Sequence, residues 1–197
     1  MSVEIDSKER IWVAGTQDVG YFESDSTGNY IYHDQTARLP QMAAGRSHGV
    51  FWKIYSDQSG IFLISSFAVF HWDGINWEHW SFESEQRILP SFLNGTLYIQ
   101  ARGTSLFRFN GFGFDQVPCK MPDAAYSIIR ILEETDQGLL CATVSNGLVY
   151  LNDSGDFQTW DSPNADWFSN ISIIDAQLID AGVFAFSTAS AGVVITD

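Results

Sequence analysis

One pattern of short apolar runs recurs five times along the 197 residues of this chain. In each repeat, an apolar run is followed by a short polar or glycine-containing turn and then by a second apolar run. The second runs begin at positions 21, 69, 106, 148 and 193, at a mean spacing of 43 residues. A period of this length indicates a supersecondary unit that buries its apolar faces against neighbouring units.

The turns within the repeat predict antiparallel strands. Three repeats join their two apolar runs through Thr-x-x-x-Gly, at Thr16–Gly20, Thr143–Gly147 and Thr188–Gly192. The second run then leads through a turn rich in Asp, Asn and Gly, residue types that adopt positive φ or bond their own backbone. An aromatic residue follows that turn in four repeats, and a further strand-like stretch precedes each first run. Each unit is therefore predicted to hold four antiparallel strands, and stacking of such units predicts an all-β fold, the β-propeller.

The predicted propeller is incomplete. We place one partial propeller domain over residues 1–197, and its blades are predicted at 1–37, 48–83, 86–118, 126–162 and 171–197. The fifth blade has only three strand-like runs, which gives four and a half to five blades. Because propellers remove free strand edges by closing a ring, we expect the chain to be a piece of a longer propeller, or to associate through its open edges, with a second copy as one possible partner.

Composition excludes several classes of function. The chain carries 24 acidic and 10 basic residues, a formal net charge of −14, which argues against a nucleic-acid partner because phosphates require Lys and Arg. It has no apolar run of about 18 residues that would span a membrane. Cys119 and Cys141 could pair, but two cysteines do not form a disulfide scaffold or a zinc site. We predict no metal and no cofactor.

The repeats resemble a known family, the two-component regulator propeller repeats. Their pattern, apolar-Trp-apolar-Gly-Thr followed by Gly and an aromatic residue, is similar to Ile11–Thr16 and to Thr143–Tyr150. The stretch from Gly15 to Phe22 resembles one blade of the ligand-binding sensor propellers that precede a triple-tyrosine domain. Residues 186–195 look like a late blade of the same propeller. The resemblance extends over about residues 3–196, although the second and third repeats lack the Thr-x-x-x-Gly element.

The resemblance implies a sensor outside the cytoplasmic membrane. Propellers of this family are commonly seven-bladed, lie in the periplasm and are followed by a small β-sandwich domain, a transmembrane helix and a cytoplasmic output. The ligand in related sensors is often an oligosaccharide. We therefore expect an extracytoplasmic, non-catalytic ligand-binding domain of a bacterial signalling protein. A propeller enzyme, such as a lyase or hydrolase, and a protein-interaction scaffold are the alternatives.

Catalytic motifs are weakly represented. His33 and Asp34 are adjacent, and adjacent strand residues point to opposite faces of a sheet. Neither Gly-x-Ser-x-Gly nor His-Glu-x-x-His occurs in the sequence. An enzyme would need a histidine such as His33 or His48 beside carboxylates at the mouth of the central channel, and we predict no catalytic residues.

Ligand-binding candidates lie in two sets of loops, by analogy with other propellers. These are the turns between second and third strands and the connections from one blade to the next. Arg102 is one of few basic residues, and Tyr126 and Trp167 would offer rings that stack on a sugar. Arg87 and Lys120 lie on the same connections. The predicted ligand-binding residues are Asp18, Arg46, His48, Arg102, Tyr126, Asn146 and Trp167.

Overall fold

The computed structural model of the chain describes residues 1–16, 18–42, 47–82, 87–101, 105–121, 127–161, 165–168, 171–180 and 182–196. The predicted ligand-binding residues Arg46, Arg102 and Tyr126 lie outside these ranges. The chain divides into two compact units, here called the N-terminal unit (Met1–Ile88) and the C-terminal unit (Leu89–Asp197).

The N-terminal unit contains two four-stranded antiparallel sheets whose strands follow one another in chain order. Sheet 1 consists of β1 (Ser2–Ile5), β2 (Ile11–Ala14), β3 (Val19–Ser24) and β4 (Tyr30–Asp34). Sheet 2 consists of β5 (Lys53–Ser56), β6 (Ile61–Ile64), β7 (Ala68–Trp72) and β8 (Trp77–Ser81). A single 3-10 turn, Thr36–Arg38, follows β4.

The C-terminal unit contains three further antiparallel sheets in the same simple order. Sheet 3 consists of β9 (Leu89–Leu93), β10 (Thr96–Ala101), β11 (Ser105–Phe109) and β12 (Phe114–Val117). Sheet 4 consists of β13 (Ile128–Thr135), β14 (Gly138–Thr143), β15 (Leu148–Leu151) and β16 (Phe157–Thr159). Sheet 5 has three strands, β17 (Ile173–Asp180), β18 (Val183–Thr188) and β19 (Val193–Thr196), and one helical turn, α1 (Ala165–Phe168), precedes it.

Side-chain hydrogen bonds close the turns that the repeat predicts. In two of the three Thr-x-x-x-Gly elements, the threonine hydroxyl donates to the glycine carbonyl, at 2.9 Å from Thr143 to Gly147 and at 3.0 Å from Thr188 to Gly192. In the turns between third and fourth strands, an Asp or Asn oxygen accepts backbone N–H groups. Asp73 Oδ1, for example, accepts two such bonds at 2.7 Å. The threonine bonds satisfy backbone carbonyl acceptors, and the Asp and Asn bonds satisfy backbone N–H donors that the strand ladder leaves free.

Each unit buries an apolar core between consecutive sheets. In the N-terminal unit, Trp12 of sheet 1 and Ile54, Phe70 and Trp72 of sheet 2 belong to one buried cluster. In the C-terminal unit, one cluster joins sheets 3 and 4, and a second joins sheets 4 and 5 through Phe184. The buried aromatic residues of the strands in these clusters, such as Trp12, Phe70 and Phe184, are therefore packing residues.

A serine hydroxyl links the first strands of two pairs of sheets. Ser2 Oγ accepts the backbone N–H of Ile54 at 3.1 Å in the N-terminal unit. Ser91 Oγ accepts the backbone N–H of Ile131 at 2.9 Å in the C-terminal unit. A first strand has a ladder partner on one side only, so these bonds satisfy donors on its open edge. Within each unit, the first strands of consecutive sheets thus lie side by side, as in radially stacked blades.

The predicted fold class is confirmed: the chain is all-β and is built from antiparallel blades, the fifth with three strands in the described residues. Pro90, within β9, is compatible with a strand because β9 pairs only with β10. The sequence did not predict α1, which is one turn long and has no helical periodicity.

Candidate functional site

In each sheet, the turn between the second and third strands and the connection to the next sheet lie at the same end of the strands. We call this the loop end; the other two turns lie at the opposite end. The predicted ligand-binding residues that the structure describes, Asp18, His48, Asn146 and Trp167, all lie at loop ends, two in each unit. Each unit is considered by itself.

Asp18 lies in the turn between β2 and β3, and its side chain is exposed. Its carbonyl accepts the backbone N–H of Gly15 at 3.0 Å, which closes the turn. Burial of the Tyr32 hydroxyl, together with the negative charges of Asp34 and Asp18, raises the pKa of that group. The exposed Asp18 carboxylate thus contributes negative charge at the loop end of sheet 1.

His48 is engaged in packing. Its Nε2 atom lies 2.8 Å from the carbonyl oxygen of Pro40, a distance that requires the ring nitrogen to donate. The ring packs edge-on to Phe70, with centroids 5.4 Å apart, and lies 6.3 Å from Phe51. His48 thus holds the connection between sheets 1 and 2 in place, and its Nε2 is occupied by the Pro40 carbonyl.

Arg87 and Trp52 form a pair at the loop end of sheet 2, although neither is among the predicted ligand-binding residues. The guanidinium carbon of Arg87 lies 3.2 Å from the centroid of the Trp52 ring, a cation–π contact. Arg87 is exposed, whereas Trp52 is half-buried. Partial burial lowers the pKa of the guanidinium. No sequence pattern indicates this pair, because Trp52 and Arg87 are 35 residues apart and lie on two different connections between sheets.

In the C-terminal unit, the turn between β14 and β15 touches helix α1. Gly147 has a φ of +63°, and a Cβ atom at this position would lie 2.7 Å from the Cβ of Phe168. Phe168 is buried and packs on Phe186, with ring centroids 4.7 Å apart. Only glycine fits here, because any side chain would collide with α1 and would also occupy the left-handed region. The Gly147–Phe168 contact therefore fixes the position of α1 against sheet 4.

Two predicted ligand-binding residues flank this contact. Asn146 precedes Gly147, and its backbone N–H donates to Thr143 Oγ1 at 3.1 Å. The Asn146 Nδ2 atom is buried and has no hydrogen-bond partner in the described part of the chain. Trp167 precedes Phe168, is 39% exposed and packs edge-on to the Phe168 ring. Asn146 and Trp167 are thus the residues that directly precede Gly147 and Phe168, the two partners of one close contact.

Two clefts lie at the opposite ends of the strands. A cleft of about 280 Å³ is lined by the turns of sheet 4, with Glu134, Asp136 and Asp153 among its residues. A smaller cleft of about 90 Å³ in the N-terminal unit is lined by Asp6, Arg10 and neighbouring residues. Neither contains a predicted ligand-binding residue. Among the described residues, no group of three or more His, Cys, Asp or Glu side chains could hold a metal ion.

Comparison with known proteins identifies the fold. No family model matches the sequence, and no curated protein shows significant similarity to it. The WD40 β-propeller domain of Doa1 superposes with a TM-score of 0.64 at 8% identity, over 100% of this chain and 64% of that chain. A catalytically inactive virginiamycin B lyase from Staphylococcus aureus superposes with a TM-score of 0.59 at 12% identity, over 100% of this chain and 69% of the lyase.

A third similar structure is the extracellular domain of a putative hybrid two-component system, BT4673 from B. thetaiotaomicron. It has a TM-score of 0.60 and 15% identity, over 99% of this chain and 27% of that one. The chain therefore spans less than two thirds of the Doa1 and two-component structures. No helix in the described residues is long and apolar enough to cross a membrane. The chain is all-β and has the fold of β-propeller blades.

Proposed function

We propose that this chain is part of an extracytoplasmic, non-catalytic sensor domain that binds a small molecule or oligosaccharide for a bacterial signalling protein. The observation that carries the proposal is the pairing of Asn146 and Trp167 around the Gly147–Phe168 contact. An exposed indole offers an apolar face to a sugar ring. The unpartnered Asn146 amide is buried in the free chain, so it would donate to a sugar hydroxyl after the side chain rotates outward. The likeness to the extracellular domain of a two-component system supports a role in sensing and a place outside the cytoplasmic membrane.

The contacts of the two candidate histidines support a non-catalytic role. His48 contacts the Pro40 carbonyl rather than a carboxylate. His33 lies 3.6 Å from Glu23, but both residues belong to the outer strands β3 and β4 rather than to a loop. The ring of His33 also stacks on Tyr21, with centroids 4.8 Å apart. In the described part of the chain, neither His48 nor His33 thus lies beside a carboxylate within the loops.

The test is a binding measurement on the whole chain. We expect isothermal titration calorimetry against a panel of neutral oligosaccharides to detect at least one ligand. Trp167→Ala is expected to weaken that binding by about 10-fold, since truncating an exposed aromatic anchor typically has an effect of this size. Asn146→Ala is expected to weaken it by a smaller factor. Phe112→Ala is the control, because Phe112 is 90% exposed at the opposite end of sheet 3.

Absence of any oligosaccharide ligand would contradict sugar binding at Asn146 and Trp167, as would equal losses in the Trp167 and Phe112 variants. Turnover of a bound oligosaccharide, detected as new products by chromatography, would favour the enzyme alternative instead. Capture of a protein partner whose binding is unaffected by either the Trp167 or the Asn146 substitution would favour the scaffold alternative.

A further inference from the structure

We propose that Arg87, held on the face of the Trp52 indole, binds a carboxylate group of a small ligand at the loop end of sheet 2. The two side chains form a cation–π pair, with 3.2 Å between the guanidinium carbon and the ring centroid. Stacking fixes the plane of the guanidinium and leaves the N–H groups at its edge free to donate. A guanidinium edge matches the two oxygens of a carboxylate.

The platform under Arg87 is fixed by hydrogen bonds. Trp52 Nε1 donates to the carbonyl of Ser65 at 3.1 Å, and the Trp52 backbone N–H donates to Ile64 at 3.0 Å. The residue after Arg87 is also anchored, because the N–H of Ile88 donates to the carbonyl of Ser66 at 2.9 Å. Since both partners are held from the same turn between β6 and β7, the arginine is positioned before any ligand arrives. Such preorganisation reduces the entropy lost on binding.

The N–H donors of Arg87 are unused in the described part of the chain. Its guanidinium makes the cation–π contact with Trp52 and forms no ion pair with a carboxylate of the described residues. Three other basic residues do form ion pairs: Arg10 pairs with Asp6, Lys120 with Asp156 and Arg130 with Asp175. Glu83 and Glu85, the acidic residues closest to Arg87 in the sequence, lie outside the described residues. Arg108 is likewise exposed and without an ion pair among the described residues, but its guanidinium carbon lies 5.9 Å from the Tyr98 ring centroid, against 3.2 Å for Arg87 over Trp52. The closer stacking of Arg87 is what favours it as a place for an acidic group from a ligand.

The overall charge favours a singly charged ligand group. A net charge of −14 repels anions, and the repulsion grows with the charge of the ligand. A carboxylate carries one negative charge, whereas inorganic phosphate near neutral pH carries between one and two. The expected ligand is therefore a small molecule or sugar acid with one carboxylate, such as a uronate.

This site is independent of the Asn146–Trp167 pair. It lies in the N-terminal unit, whereas Asn146 and Trp167 lie in the C-terminal unit. Carboxylate binding at Arg87 does not require the chain to be a sensor, and failure of one proposal leaves the other standing.

The experiment titrates the whole chain with glucuronate, acetate, glucose and inorganic phosphate. Binding is followed by the Nε–H signal of Arg87 and the indole N–H signal of Trp52 in two-dimensional ¹H–¹⁵N NMR spectra. We expect glucuronate and acetate to shift both signals saturably with millimolar affinity, and glucose to shift neither. Arg87→Gln is expected to weaken glucuronate binding by about 10-fold or more, the loss expected for a charge-assisted hydrogen bond. Arg87→Lys keeps the charge but loses the planar fork, so its affinity for glucuronate is expected to lie between those of the wild type and Arg87→Gln.

Arg108→Gln is the matched control, because Arg108 is also exposed and its guanidinium carbon lies 5.9 Å from the ring centroid of Tyr98. Thermal melting of each variant verifies that it is folded. Unchanged glucuronate binding in Arg87→Gln, an equal loss in Arg108→Gln, or binding of phosphate as tight as that of glucuronate would each overturn the proposal. If acetate alone fails to bind, the carboxylate is recognised as part of a sugar acid, which keeps the proposal and narrows the ligand.

Discussion

The guanidinium carbon of Arg10 lies 4.8 Å from the ring centroid of Trp72, so a cation on sheet 1 packs against an aromatic ring on sheet 2. Asp6 holds this cation in place. Its Oδ2 atom accepts hydrogen bonds from Arg10 Nε at 2.7 Å and from Trp12 Nε1 at 2.9 Å. Burial alone would raise the pKa of Asp6, but the bonds from Arg10 and Trp12 outweigh it and lower that pKa below its ordinary value.

Replacing Asp6 is therefore expected to destabilise the N-terminal unit. The side chains of Asp6 and Arg10 are only 5% and 10% exposed, so Asp6→Ala leaves a buried cation without its partner. We expect the free energy of unfolding to fall by about 3–5 kcal/mol, measured by urea denaturation. Asp156→Ala is the control, because its ion pair with Lys120 is exposed and is expected to contribute less than about 1 kcal/mol. Similar losses in the two variants would contradict this reading of the Asp6–Arg10 pair.

His71 predicts a pH dependence of stability. Its ring is buried, stacks on Phe62 with centroids 4.4 Å apart, and has Nε2 at 3.2 Å from Ser59 Oγ. Burial lowers the pKa of His71 below its ordinary value of about 6.5, although the negative charges of Asp57, Glu78 and Asp73 act in the opposite direction. Below pH 6.5 the unfolded chain therefore binds more protons than the folded chain. Stability contributed by the neutral ring is present above that pH and is lost as the pH falls toward the folded-state pKa.

The measurement is the urea midpoint as a function of pH between about pH 7 and pH 5, a window chosen because the carboxylates titrate mainly below it. We expect the midpoint of the wild type to fall across this window. His71→Phe keeps an aromatic ring but cannot titrate, so its curve is expected to be flatter. His79→Phe serves as the comparison, since His79 stacks on Phe70 but is less buried. Parallel curves for the wild type and His71→Phe would rule out His71 as the source.

The strand order was predictable from the sequence because it depends on local signals. Asp73 and Thr143 form side-chain hydrogen bonds to the backbone of their own turns. The apolar runs between such turns are short, so each strand can pair with few others. Contacts between connections were not predictable, because they depend on the path of the backbone between sheets. Asn146 and Trp167 were each predicted as ligand-binding residues, but their common dependence on the Gly147–Phe168 contact appears only in three dimensions. The stacking of Arg87 on Trp52 is of the same kind.

Gly147→Ala tests the contact that joins the two halves of the proposed sugar site. The added methyl group would collide with Phe168 at a positive φ, whereas the same change at Gly192 meets no atom within 4 Å at a φ of +73°. Both variants carry the backbone cost of the left-handed region, about 1–2 kcal/mol. Gly147→Ala carries the cost of displacing α1 in addition. We expect thermal melting to show a larger loss for Gly147→Ala, and calorimetry to show weaker oligosaccharide binding in that variant alone; equal effects at both glycines would refute the role assigned to the contact.

The two cysteines are expected to resist alkylation. Burial raises the pKa of Cys119 to about 11, and Cys141, which is fully buried in β14, has its pKa raised further by burial and by Cys119. At pH 8 about one thousandth of Cys119 would be thiolate, the reactive form. Mass spectrometry after brief treatment with iodoacetamide should find both thiols unmodified in the folded chain and both modified in urea. Rapid modification of Cys141 in the folded chain would show that β14 opens.

The outer edge of sheet 5 predicts self-association. No strand pairs with the free edge of β19 among the described residues, whereas the other four sheets end in a fourth strand. Val193 and Ile195 lie on one face of β19 and are 73% and 64% exposed. The strand Val193–Thr196 carries no charge, unlike β8 with Glu78 and β12 with Asp115, and charged residues are a common protection of exposed edges.

Ile195→Lys places a charge on that face and is expected to abolish self-association. We expect analytical ultracentrifugation of the wild type to show a sedimentation coefficient that rises with protein concentration, and more steeply at high salt because salt screens the repulsion between copies of net charge −14. Ile195→Lys should sediment as a monomer throughout. Ile75→Lys makes the same change of charge at the exposed tip of the turn between β7 and β8 and should behave as the wild type. A wild type that remains monomeric at all concentrations, or an equal response to both lysines, would show that the β19 edge does not pair between copies.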